Sequence, residues 1–65
     1  MRVIINQHAY DLPENSLVQD AIKLIEAAPP YAVAVNLQFV PKRQYSEVIL
    51  HESDRVEVIA PVTGG

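Results

Sequence analysis

The stretch SLVQDAIKLIEAAPP, residues 16–30, constrains this chain most, because it reads as one helix with a single apolar side. Val18, Ala21, Ile22, Ile25 and Ala28 recur at helical spacing, whereas Gln19, Lys23 and Glu26 fall on the other side. Ser16 is placed to accept from an exposed N–H at the helix start, and Gln19, three residues on, can reach back in a capping box. Asp20 adds negative charge near the positive end of the helix dipole. Pro29-Pro30 is expected to end the helix, since neither proline donates a backbone hydrogen bond and Pro29 disfavours helical geometry at Ala28. A lone helix cannot bury such a face by itself, so the flanking segments must supply a matching apolar surface.

Those flanks read as strands. RVIIN (2–6) is β-branched, Asn6-Gln7-His8 is turn material, and Tyr10 and Leu12 alternate with Asp11 in AYDLP (9–13), which together predict a hairpin. AVAVN (32–36), continuing into LQFV before Pro41, has the pattern of a strand covered on both faces and is expected to be the central strand. PKRQYSE reads as a loop, VIL (48–50) as a brief edge strand or turn, and HESD as a tight turn. RVEVIA (55–60) alternates, with Val56, Val58 and Ala60 expected toward the helix and Arg55, Glu57 and Ile59 on the open face.

Strand, strand, helix, strand, short strand, strand is the order of a β-grasp domain. This is an α+β fold in which one main helix packs across a mixed sheet, with the first and last strands side by side in the middle and a right-handed crossover. The domain is expected over residues 1–60, with residues 61–65 as a flexible C-terminal tail. Fully extended, that tail reaches at most roughly 16 Å beyond the sheet.

Composition removes most alternatives. Sixty-five residues make one domain. With no cysteine, the chain has no disulfide, thiolate metal site or thiol nucleophile. A net charge of -3 is the wrong sign for a nucleic-acid partner. No signal-like or membrane-spanning apolar run is present, so a cytoplasmic protein without membrane contact is expected.

Side-chain chemistry is sparse. His8 and His51 sit in turn-like segments without a second ligand at metal spacing, and solvated turn histidines explain them better than a metal or general-base role. Ser16 and Ser46 lack a nucleophile context, and there is no glycine-rich phosphate loop in a chain without internal glycine. No catalytic residue, bound cofactor or metal is therefore expected. Lys42 and Arg43 beside Tyr45 form a small basic cluster that suits an interface rim or plain loop surface equally well. Ile59 and Val62 could add an exposed apolar patch.

The remaining functional group is the C-terminal carboxylate. Gly64 and Gly65 are the only glycines, while the turns at Asn6, Asn15 and Ser53-Asp54 are made without them. Two glycines make a thread without side chains that can enter a narrow channel, and adenylation would convert the carboxylate into a mixed anhydride open to a sulfur nucleophile. A terminus where glycine is merely harmless is the competing explanation.

The whole chain resembles the ThiS family of sulfur carriers in thiamin biosynthesis, small β-grasp proteins related in fold to ubiquitin. The resemblance rests on LPEN-S before the helix, AVAVN followed by VP-K (40–42), Tyr45 in an aromatic position, and SDRVEVI leading to PVTGG. It implies that Gly65 is adenylated by an ATP-dependent enzyme similar to ThiF, converted to a thiocarboxylate with sulfur from a donor protein, and used by a thiazole synthase similar to ThiG. On that basis Gly64, Thr63 and Val62 are expected to be read by the enzymes that receive the tail, and Ile59, Lys42, Arg43 and Tyr45 to form the partner surface. The protein would then be a co-substrate and no enzyme, monomeric when free. The PVTGG ending also resembles MoaD of molybdopterin synthesis, and a ubiquitin-like modifier has the same terminus; the short Pro29-Pro30-Tyr31 connection favours the thiamin branch. Asn15 and Ser53 stand where the family usually has glycine, and Lys42 where it has arginine, keeping the charge but losing the bidentate fork.

Overall fold

Strands β1 (Arg2–Ile5) and β2 (His8–Asp11) form an antiparallel hairpin whose register ends at the Ile5 and His8 pair. The loop is two residues long, and Asn6 and Gln7 both take left-handed backbone, φ 49 and 72, as a type I′ turn requires. Described here from a computed structural model covering residues 1–60, the chain continues through helix α1 (Val18–Leu24), β3 (Ala32–Val35), β4 (Gln38–Val40), a 3-10 turn at Lys42–Gln44 and β5 (Arg55–Ile59). The five strands form one sheet in the order β2-β1-β5-β3-β4. β1 and β5 are parallel, and the other pairings are antiparallel. This is the expected α+β β-grasp plan, with first and last strands adjacent. The expected tail, residues 61–65, lies outside the described residues.

Three expectations are corrected. The run from Ala32 to Val40 is not one central strand: Asn36 and Leu37 turn left-handed, φ 50 and 69, and split it into the β3–β4 hairpin. β5 holds the centre of the sheet, and β3 is not covered on both faces, since Val33 alone is fully buried in it.

The helix is also shorter than its apolar periodicity. It begins at Val18 with Leu17 as N-cap, and Ser16 does not cap it: the Ser16 hydroxyl donates to the Pro13 carbonyl at 2.7 Å. Asp20 takes the role expected of Gln19, its Oδ2 accepting the Leu17 N–H at 2.8 Å, while a leucine side chain can return nothing. At the other end, Glu26 adopts φ 54, its N–H donates to Lys23 O at 3.1 Å, and the Ala27 N–H donates to Ile22 O at 3.3 Å. These are the two bonds of a Schellman cap, so the helix stops before Pro29-Pro30, and Ala28 is exposed.

The third correction is Ala60, which lies past β5 and is exposed, although Val56 and Val58 do face the helix as expected. Val3, Ile5, Val33, Val40 and Val56 from the sheet pack with Val18, Ala21 and Ile22 of the helix. Leu12 and Leu50 complete this core. Each valine, leucine or isoleucine among them, when fully buried, contributes about 1.5–3 kcal/mol. The segment around Val48–Leu50 clamps the helix start: Val18 N–H donates to Val48 O at 3.0 Å and Leu50 N–H to Ser16 O at 2.8 Å.

Candidate functional site

The strand that leads toward Gly65 is paired on both sides in the sheet. β5 pairs with β1 on one side and β3 on the other, its last register partner being Ala32 opposite Ile59. Past the end of β1 the ladder is extended by a side chain, Asn6 Oδ1 accepting the Val58 N–H at 2.9 Å. The chain therefore leaves the sheet from a fixed point beside Ala32. Val62, Thr63, Gly64 and Gly65 lie outside the described residues. Gly65 lies six positions past Ile59, a reach of at most roughly 20 Å.

Ile59 sits on the open face, opposite the helix, and is 57% exposed. It is not alone there. Phe39, 69% exposed, stands directly across from Ala34, and Ala32 stands across from Ile59, so two alanines form a low floor between two large apolar side chains. Leu37, at the hairpin tip, is 88% exposed. Farther along the same face, Arg2, Ile4, Arg55 and Glu57 border a shallow hollow of about 510 Å³. The open face thus has an apolar half beside the tail exit and a charged half beyond it. Large exposed apolar groups concentrated on one sheet face mark an interaction surface.

Sequence reasoning missed Phe39 and Leu37. The signal was present in Asn36: read as a turn residue like Asn6 and Asn15, it folds LQFV back and sets Phe39 opposite Ala34.

Lys42, Arg43 and Tyr45 are not brought together with Ile59. The 3-10 turn carries them on the helix side, where Lys42 and Tyr45 line a groove with Gln19, Ile22, Lys23 and Tyr31. Arg43 is exposed and lines no part of it. The Tyr31 and Tyr45 rings stack with centroids 6.1 Å apart and planes 21° apart. Burial, then the neighbouring Tyr31 hydroxyl, push the Tyr45 pKa above its ordinary value.

The histidines stay apart. His8 opens β2 and is exposed, rather than lying in the turn, and His51 Nδ1 lies 3.8 Å from Asp54 Oδ2. Among the described residues no group of three His, Cys, Asp or Glu side chains could hold a metal ion. Among the same residues no helix is long and apolar enough to cross a membrane.

The architecture thus ends its described part on a central strand, β5, next to an apolar face. A family model, described as the ThiS family, matches residues 3–65, which takes in all of the sheet but Arg2 and includes the terminal Gly65. The chain belongs to the ThiS family. No curated protein matches it in sequence. Among solved structures, the thiamine biosynthesis protein ThiS from Geobacter metallireducens superposes with a TM-score of 0.82 over 100% of both chains at 17% identity. At that identity the likeness shows the fold, a ThiS-type β-grasp, reached by a largely different set of side chains. Asn15 and Ser53, where the resemblance implies glycine, both adopt φ 68, so these turns take left-handed backbone without glycine.

Proposed function

We propose that this ThiS-family chain is a sulfur carrier of thiamin biosynthesis, a co-substrate on which enzymes act. What supports the reading is a family match that runs through Gly65, on a chain whose central strand ends at Ile59, six positions before that residue. One carboxylate oxygen of Gly65 attacks the α-phosphorus of ATP bound to a ThiF-like activating enzyme, and pyrophosphate leaves. A hydrosulfide equivalent from a donor protein then attacks the acyl carbon and AMP leaves, so the carbon keeps one oxygen and gains one sulfur. The resulting thiocarboxylate delivers that sulfur to a ThiG-like thiazole synthase.

The chain supplies no acid, base or metal to these steps. Its contribution is positional: Gly64 and Gly65 thread a narrow active site, Thr63 and Val62 are read along the way, and the apolar half of the open face holds the partner. ATP is bound by the activating enzyme and the carrier itself holds no cofactor.

Deleting Gly65 tests the reading in cells that depend on this chain for the thiazole of thiamin. Growth without added thiazole should be lost while the deleted chain folds with an unchanged unfolding midpoint. Normal growth of that strain would contradict the proposal, and ladders of conjugates on other proteins' lysines would favour a modifier instead.

A further inference from the structure

On the helix side of the sheet an open trough runs from Pro29 and Pro30, past the rings of Tyr31 and Tyr45, to Gln19 and Ser46. Its two parts, about 590 and about 290 Å³, share Tyr31, Lys42 and Tyr45, so they form one elongated depression. A compact ligand needs enclosure on most of its surface, whereas an elongated open trough suits an extended peptide. The stacked tyrosine rings both line the trough, and an aromatic-lined groove is the kind of surface on which a polyproline II segment docks with little loss of entropy.

The rim sets the sign of the charge. Lys23 and Lys42 flank the rings, and among the described residues neither lies within ion-pair distance of a carboxylate. Glu26 is the one acidic side chain in the lining. A local excess of positive charge, in a chain whose net charge is -3, is complementary to carboxylates.

We infer that this trough binds an extended acidic, proline-containing segment of a partner protein, with prolines on Tyr31 and Tyr45 and carboxylates on Lys23 and Lys42. The site lies across the sheet from Phe39 and Ile59, so it can be filled while the open face is engaged. It does not rest on the sulfur-carrier reading. Its Pro29–Tyr31 end adjoins Ala32, the residue beside which β5 leaves the sheet. A segment held there keeps the rest of its protein close to the tail, raising the effective concentration for a second contact.

The test is a titration of the full ¹⁵N-labelled chain with a short capped peptide of alternating glutamate and proline, followed by amide chemical shifts. Saturable shifts confined to Gln19, Lys23, Tyr31, Lys42 and Tyr45 are expected, and they should weaken as salt is added. The same peptide with glutamine in place of glutamate should bind about fivefold more weakly, the effect of losing two exposed ion pairs. The double variant Lys23→Glu, Lys42→Glu alters only exposed side chains, and it should fold normally and lose binding of the acidic peptide. Shifts that never saturate, equal binding of the glutamine peptide, shifts mapping instead to Phe39 and Ile59, or undiminished binding by the double variant would each overturn the inference.

Discussion

Asn6 Oδ1 accepts the backbone N–H of Val58 at 2.9 Å, joining residues 52 positions apart in sequence. The Asn6 N–H meanwhile donates to Val56 O at 2.9 Å, so one asparagine bonds β5 twice while holding a left-handed turn. Substitutions separate the two roles. Asn6→Gly keeps the turn and loses the acceptor, and should cost about 1 kcal/mol. Asn6→Ala also pays the left-handed penalty and should cost about 2 kcal/mol. Asn6→Asp, which keeps an acceptor, should stay near the parent. Urea unfolding with an unchanged slope measures all three.

The left-handed positions make a second prediction. Among the described residues, seven have positive φ, none of them glycine: Asn6, Gln7, Asn15, Glu26, Asn36, Leu37 and Ser53. Asparagine tolerates this region, but glutamate just past a helix C-cap and leucine at a hairpin tip gain nothing from it. Glu26→Gly and Leu37→Gly should each raise stability by about 0.5–1 kcal/mol. Leu37→Gly should at the same time weaken binding of whatever protein docks on the open face, because it removes a side chain that is 88% exposed. Thermal unfolding and partner affinity, measured on the same variant, should move in opposite senses.

These positions also show what was legible in the sequence. Asn6, Asn15 and Ser53 were readable as turns because each sits between periodic segments that face different ways. Asn36 was hidden inside AVAVNLQFV, where apolar residues on both sides imitate one buried strand. Ala28 continued the helical spacing, but no local residue advertised that Glu26 would turn left-handed and stop the helix. The open face was half legible: alternation in RVEVI placed Ile59, whereas Phe39 depended on the unrecognised hairpin. Lys42 and Tyr45 are near Ile59 in no sequence-readable sense, and the topology places them on the other side of the sheet.

Phe39 and Ile59 supply a prediction about binding. Both are exposed, so Phe39→Ala and Ile59→Ala should change stability by no more than about 0.5 kcal/mol. Each should weaken the complex with a tail-activating enzyme by about tenfold or more, as loss of a large apolar anchor does. Calorimetric titration of the two proteins checks this, and unchanged affinity in both variants would remove the apolar half of the open face from the interface.

Tyr45 gives a pH dependence. Its folded pKa is raised, by burial first and by Tyr31 second, above the ordinary 10.0. A raised folded pKa means that the neutral phenol is favoured in the native state. Its stabilisation is complete below the unfolded pKa and is lost as pH rises through the folded value. The tyrosinate absorbance that Tyr45→Phe removes from the parent titration should therefore reach half its full size above pH 10.0.

The central claim is that Gly65 carries sulfur. The direct measurement is the mass of the C-terminal peptide after the chain is incubated with a ThiF-like activating enzyme, ATP and a sulfur donor. Exchange of one carboxylate oxygen for sulfur should raise that peptide by about 16 Da, while oxidation of Met1, which has nearly the same increment, falls on a different peptide. The gain should vanish without ATP. An unchanged C-terminal peptide, in the presence of an enzyme that converts another ThiS-family chain, would contradict the account.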